Sequence, residues 1–288
     1  MAQLIPGKQL AADLCLEVAA EAKAFSAAHG LAPALAVVLV GENPASEIYV
    51  RRKVAECGKA GIRSAEYRLP SNTPEATLLG LIDLLNRDAT VHGILVQLPL
   101  PEHIDATRIL DEIAPGKDVD GFHPVNVGRL STGTGGLIPC TPLGCMILID
   151  SVVPELRGKH AVVIGKSNIV GKPIALLLLE RECTVSITHI ATQGLSEIVR
   201  SADIVVAAAG APDLVRGDWV KPGAVVIDVG ITRVTEADGT IRIAGDCASA
   251  EMDHAAAFTP VPGGVGPMTI ACLLSNTLKA ARMSVDER

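Results

Sequence analysis

The stretch Ala161–Pro173, AVVIGKSNIVGKP, restricts what this chain can fold into more than any other. Ala161–Ile164 is a short β-branched run suited to a buried strand. Gly165 breaks it, and Lys166, Ser167 and Asn168 are polar turn residues. Gly171 follows, and Pro173 fits the first turn of a helix that continues through Ile174–Leu179. A strand, a glycine turn and a helix make half of a dinucleotide site. The helix start offers N–H groups and positive dipole to a pyrophosphate, and glycine lets the backbone come close. Gly165 and Gly171 are six residues apart, one more than the outer glycines of the usual fingerprint. The next strand, Thr184–Thr188, runs into His189, Ile190, Ala191 and Thr192, without the carboxylate that would hold a ribose 2′-hydroxyl. Lys166 and His189 suit a 2′-phosphate instead. An ordinary strand–helix turn without a ligand is the competing reading.

Composition narrows the class without naming a function. At 288 residues the chain has room for two domains. Apolar residues make up 49%, yet there are only one Trp, two Tyr and three Phe, so the core is built from Ala, Val, Leu and Ile. No apolar run reaches the roughly 18 residues of a membrane span, and the N-terminus lacks a secretory pattern. Seven cysteines show neither a CxxC pair nor a regular framework. That favours a reducing cytoplasm and gives no metal-ligand set. A net charge of −7 without a basic block argues against nucleic acid.

Read in order, apolar positions Leu10, Leu14, Val18 and Ala22 predict a helix over 8–28. Strands are expected at 34–40, 62–69 and 91–98, with helices from Pro44 to about Gly58 or Gly61 and over 73–88. Asn43 is placed to cap the helix at Pro44. Strands separated by helices imply parallel pairing with right-handed crossovers. Arg129–Gly136, rich in Gly and Thr, reads as a mobile link, followed by a helix over 143–153. The second half adds strands at 204–209 and 224–229 with a short helix over 196–201 between the dinucleotide strand pair and the first of these. TPVPGGVGPMT, Thr259–Thr269, specifies a rigid loop, then a helix over 269–283 and a frayed tail over 284–288.

Several residues stand out chemically. Tyr49 and Lys53, four apart, share one helix face near the carboxyl end of a strand, where parallel sheets bind ligands. With Arg51 and Arg52 beside them, they equally suit a solvated basic face. Gln97 ends an apolar strand, as a loop cap or as a ligand contact. Asp118 and Asp120 sit two apart in Lys117–Gly121, facing one way if extended, or forming an Asx turn at Asp120-Gly121. Cys140, flanked by prolines, has no His/Asp partner nearby and reads as packed rather than nucleophilic. Asp228 at a strand end is either catalytic or structural. Gly210 and Gly230 end strands at the edge where a nicotinamide would lie.

VGENPASEIYVRRK, GILVQLPLP, PGKDVDGFHPVN, PCTPLG, GKSNIVGKP and PVPGGVGPMT occur in this order. Together they resemble the bifunctional methylenetetrahydrofolate dehydrogenase/methenyltetrahydrofolate cyclohydrolase family. The resemblance implies two α/β domains with a cleft between them. A folate-binding catalytic domain over 1–139 would be joined by the C-terminal helix 268–288, and a Rossmann-like NADP domain would span 140–267. It implies oxidation of 5,10-methylenetetrahydrofolate by NADP, then hydrolysis of the methenyl product to 10-formyltetrahydrofolate. Tyr49 would stack on the folate, Lys53 would be the key cyclohydrolase residue, Gln97 would tune Lys53, and Asp120 would accept from the pterin's amino edge. Leu98, Pro262, Gly263 and Gly264 would complete the folate contacts. Thr141, Gly165, Lys166, Ser167, Ile169, Val170, Gly171, Pro173, His189, Ile190, Gly210, Ile231 and Thr269 would hold the cofactor. The family commonly has Arg where Lys166 stands and Ser where Ile190 stands, so NADP is expected with a reduced preference over NAD. A homodimer through the nucleotide domain is also implied. The rivals are an oxidoreductase of the shikimate dehydrogenase kind, and a folate- or nucleotide-binding protein without turnover.

Overall fold

A computed structural model of the chain describes residues 2–236 and 239–286. In chain order its elements begin with β1 (Gln3–Leu4), α1 (Gly7–His29), β2 (Ala34–Val40), α2 (Pro44–Lys59), β3 (Arg63–Leu69), α3 (Glu75–Arg87), β4 (Gly93–Val96), α4 (Ala106–Glu112) and α5 (Pro124–Thr132). There follow α6 (Cys140–Asp150), β5 (His160–Ile164), α7 (Gly171–Glu180), β6 (Thr184–Thr188), α8 (Leu195–Arg200), β7 (Ile204–Ala207), β8 (Val225–Asp228), β9 (Thr232–Thr235), β10 (Ile241–Ala244), β11 (Ala257–Phe258) and α9 (Val265–Asp286). These form two compact units, one of residues 12–140 with 270–286, the other of residues 2–11 with 141–269. The chain passes from one to the other at 140–141, beside the boundary expected at 139–140. Residues 2–11, expected with the first domain, belong to the second, because Gln3 and Leu4 pair in parallel with Ala257 and Phe258.

The first unit is built on a parallel three-stranded sheet in the order β3-β2-β4. ALAVVLV forms β2, buried along its whole length, as a central strand covered on both faces requires. Its partner β3 lies at the edge and buries only part of its side chains. Beyond β4 the chain returns along the sheet, with Ile94 N–H donating to Lys117 O at 2.8 Å. This return segment carries Asp118 and Asp120 past the sheet's edge. Lys117 turns its ammonium back onto the carbonyls of Leu85, Asn86 and Asp88, all within 2.9 Å, and so closes the carboxyl end of α3.

Residues 129–136 are not a mobile link. Arg129–Thr132 complete α5, which has Pro124 in its first turn, His123 Nδ1 accepting from Val125 N–H, and Gly133 at φ 66° as its left-handed stop. Lys279 of α9 donates to Gly136 O at 2.6 Å and ties down the chain just past that stop. Nor does the C-terminus fray from residue 284. The helix α9 runs to Asp286, and residues 287–288 lie outside the described part.

The second unit carries a six-stranded parallel sheet in the order β1-β11-β8-β7-β5-β6, with β9 and β10 as a separate antiparallel pair. From β5 the chain moves outward to β6 and then returns to the other side of β5 at β7. The strand order thus reverses between β5 and β7. In open α/β sheets ligands bind at the carboxyl ends of the two strands flanking such a reversal. Residues 165 and 208–210 follow those ends.

The Lys117 cap gives a direct prediction. Lys117→Met should lower the urea unfolding free energy by roughly 2 kcal/mol, followed by circular dichroism, because three carbonyls lose a charged donor. An unchanged midpoint would refute the capping role.

Candidate functional site

In the first unit, Asn43 Oδ1 accepts from Ser46 N–H at 3.2 Å and starts α2 at Pro44. One turn apart on α2, Tyr49 is half-buried and Lys53 only 9% exposed. Arg51 and Arg52 between them are exposed. The solvated basic face is therefore confined to the two arginines. Lys53 Nζ donates to Gln97 Oε1 at 3.1 Å, and Gln97 Nε2 donates to Leu98 O at 2.7 Å. The Gln97 N–H is held by Val38 O, so the amide is fixed through the sheet. Among the described residues Lys53 forms no ion pair; its partner is a neutral amide.

The two aspartates of the return segment have separate tasks. Asp118 is buried and accepts from the backbone N–H groups of Phe122 and His123 and from Asn126 Nδ2, at 2.8–3.2 Å. The turn is thus closed by Asp118 and not by Asp120-Gly121. Asp120 remains half-buried beside Lys53. Burial pushes its carboxyl up, the Lys53 charge opposes the rise and the Asp118 charge adds to it. Cys140 is buried with its thiol on Val119 O at 3.2 Å, and burial first, then the Asp120 charge, pushes it far above the range of a reactive thiol. Asn276 of α9 donates to Val119 O and Ile138 O, each at 2.8 Å, pinning the same segment from behind.

In the second unit the glycine turn after β5 is a close backbone junction. A Cβ on Gly165 (φ 120°) would lie 2.1 Å from Ala208 O, and one on Gly171 would lie 2.0 Å from Gly165 O. Only hydrogen fits at either place, and the turn is left open to a ligand's backbone-level approach. Ser167 Oγ accepts from the N–H groups of Val170 and Gly171 at the start of α7. Pro173 is buried in the first turn, and Lys166 and Ile169 are exposed beside it. At the end of β6, His189 Nδ1 accepts from Ala191 N–H at 3.2 Å, which leaves Nε2 outward; Ile190 is fully exposed. No carboxylate stands there, and among the described residues Lys166 has no ion-pair partner. These residues fit a dinucleotide carrying a 2′-phosphate. Thr141 and Thr269 share a hydrogen bond of 2.9 Å, Gly210 holds φ 67°, and Ile231 is exposed. Pro262, Gly263 and Gly264 lie in this unit too, with Gly264 N–H on Pro260 O. The structure thus brings Lys53, Gln97 and Asp120 together in one unit, and the glycine turn and the Pro262–Gly264 loop in the other.

Two family models match the chain: the catalytic domain of tetrahydrofolate dehydrogenase/cyclohydrolase over residues 5–120, and its NAD(P)-binding domain over residues 139–285. The chain belongs to the tetrahydrofolate dehydrogenase/cyclohydrolase family. It is 68% identical to the bifunctional protein FolD 1 of Rhizorhabdus wittichii, over 98% of this chain and 96% of that one. It is 62% identical to the bifunctional protein FolD of Sphingobium chlorophenolicum, over 98% of this chain and 89% of that one. Among solved structures, the FolD enzyme of Campylobacter jejuni superposes with a TM-score of 0.93 at 49% identity, covering 98% of this chain and 99% of that one. The Trypanosoma brucei enzyme, solved with NADP and an inhibitor, gives 0.93 at 40% identity, covering 99% and 98%. The activity is accordingly that of a tetrahydrofolate dehydrogenase/cyclohydrolase. 5,10-Methylenetetrahydrofolate is oxidised with NADP, and the methenyl product is hydrolysed to 10-formyltetrahydrofolate.

Asn126, Asn276 and Asp246 support these sites without having stood out in the sequence. Asp228 is structural: its buried carboxylate accepts from the N–H groups of Gly230, Asp246 and Cys247, at 2.8–3.0 Å. Burial pushes it up to about 6, against those three donors and helped by the Asp246 charge. A carboxyl that holds its proton more tightly folded than unfolded stabilises the fold in acid, and loses that contribution as pH rises through its folded value. Relative to Asp228→Asn, the wild-type unfolding free energy should therefore fall by about 2 kcal/mol between pH 4 and pH 7. Parallel pH curves for the two proteins would contradict this.

Proposed function

We propose that Lys53 is the catalytic residue of the hydrolytic step and that Tyr49, Gln97 and Asp120 arrange the folate around it. The observation that carries this is the 3.1 Å hydrogen bond from a nearly buried ammonium to a neutral amide. Where Lys117 spends its ammonium on three carbonyls, Lys53 Nζ is held through Gln97 Oε1 and keeps N–H groups to face a substrate. The oxidised substrate is already electrophilic. Water adds to the methenyl carbon and loses a proton; as the carbon–N5 bond breaks, N5 takes up a proton and the new hydroxyl gives up its own to become the formyl oxygen, so one proton leaves overall. Lys53 Nζ manages those transfers, and Gln97, fixed by Val38 and Leu98, aims it. The Tyr49 ring stacks on the pterin, and the Asp120 carboxylate accepts from its amino edge. Leu98 lines the folate.

NADP, when bound, supplies the hydride acceptor for the first step. We place its pyrophosphate at the turn formed by Gly165, Ser167, Ile169, Val170, Gly171 and Pro173. Lys166 and His189 serve the 2′-phosphate, with Ile190 beside them. Thr141, Gly210, Ile231 and Thr269 are placed toward the nicotinamide. Lys166 offers charge without the bidentate fork of an arginine, so the preference over NAD is modest. The product is a formyl donor of one-carbon metabolism, suited to purine biosynthesis. No disulfide joins the cysteines among the described residues, which supports a cytoplasmic setting. Among the described residues no helix is long and apolar enough to cross a membrane. The expected homodimer is supported by the exposed apolar residues Leu179 and Ile187 on the second unit.

Lys53→Met should reduce hydrolysis of methenyltetrahydrofolate by about 100-fold or more while the melting temperature holds. Wild-type turnover in that variant would end the assignment. Lys166→Met should lower kcat/KM for NADP about tenfold and leave NAD turnover near its original value, as expected if the lysine meets only the 2′-phosphate; equal losses with both cofactors would contradict it.

A further inference from the structure

We propose that Asp246 is a positioning residue for the oxidation step, its carboxylate fixing the Ala209–Gly210 turn against which the dinucleotide binds. The inference rests on the reading that NADP occupies the carboxyl ends of β5 and β7, where the strand order reverses.

The turn after β7 is the wall of the glycine turn after β5. Ala208 N–H donates to Ile164 O at 2.7 Å, and Ala208 O is the atom that forbids a Cβ on Gly165. On the other side, a single oxygen of Asp246, Oδ2, accepts from Ala209 N–H at 2.6 Å and from Gly210 N–H at 2.9 Å. With both successive N–H groups drawn to one point, Gly210 adopts φ 67°. The anchor is itself rigid. Asp246 N–H donates to Asp228 Oδ1 at 2.8 Å, Val215 N–H donates to Asp246 O at 2.9 Å, and Asp228 also holds Gly230 N–H after β8. Two carboxylates thereby lock the ends of β7 and β8 to the segment that follows β10.

Asp246 is fully buried, and its second oxygen, Oδ1, has no hydrogen-bond partner among the described residues. A buried oxygen without a donor costs stability. Stability alone does not account for the arrangement, whereas a demand on the position of residues 209–210 does. Hydride transfer is sensitive to placement, and a shift of about 1 Å can lower a rate on the order of 100-fold. Hydrolysis of the methenyl compound needs no dinucleotide, so it does not depend on this turn.

The test compares full-length wild type with Asp246→Ala and Asp246→Asn. On one sample of each, dehydrogenase kcat/KM for NADP and cyclohydrolase kcat/KM without NADP are measured. Any loss of folded protein lowers both and cancels in their ratio. Asp246→Ala should lower the dehydrogenase-to-cyclohydrolase ratio by about 10- to 100-fold. Asp246→Asn should restore most of it, because Oδ1 of the amide accepts the same two N–H groups while Nδ2 takes the place of the unpartnered oxygen. A ratio unchanged in Asp246→Ala, or equally low in both variants, would overturn the proposal. An NADP titration of Lys166→Met separates the two failures. Weakened binding there with an unchanged ratio in Asp246→Ala rejects the positioning role alone; undisturbed binding rejects the cofactor's location and the proposal with it.

Discussion

Backbone meets backbone where β5, β7 and α7 converge, and the second unit is arranged around that contact. Gly165 lies against the carbonyl of Ala208, and Gly171 against the carbonyl of Gly165. Two missing side chains bring a strand end, a neighbouring strand end and a helix start within one layer of atoms. Ser167 Oγ takes the Val170 and Gly171 N–H groups at the start of α7, so the turn itself caps the helix. Surrounding polar groups serve this junction, Ser167 from within the turn and Asp246 from behind the neighbouring one.

The first unit solves a different problem, which is to keep a charged amine poised inside a protein. Lys53 is nearly buried, so water contributes little to its solvation. The Gln97 amide supplies a dipole, and the Lys53 charge in turn opposes the rise that burial imposes on the Asp120 carboxyl. The division of labour between Asp118 and Asp120 makes this workable. Asp118 is consumed by three donors and shapes the turn. Asp120, with the same side chain two positions later, is left to meet whatever the turn presents it to.

Much of this was legible in the residues, and the exceptions share a cause. The unbroken run ALAVVLV identified a strand covered on both faces, and the Gly165–Gly171 spacing located the junction, because both signals are local. The four-residue step from Tyr49 to Lys53 gave a common face. It gave no sign that Lys53 was buried and Arg51 and Arg52 exposed, since that depends on Gln97, 44 residues away. The return segment tempted a reading of Asp120-Gly121 as the turn, whereas Asn126 and two downstream N–H groups select Asp118. The helix α5 was hidden by the glycine and threonine in and after it; His123 caps its start and Gly133 its end, in place of an apolar stripe. Asp246 carried no motif; its role follows from amides brought to it by the sheet.

The pairing of β1 with β11 has a consequence for how the chain is made. A strand at residues 3–4 waits for a partner at 257–258, and the unit of residues 12–140 is completed by 270–286. Each half is thus finished by a piece from the far end of the polypeptide. During synthesis from the N-terminus, residues 2–11 wait for 257–269 and residues 12–140 wait for 270–286 before either half has all its parts. A single cut after residue 140 would not yield two self-sufficient fragments, but two proteins each missing a seam.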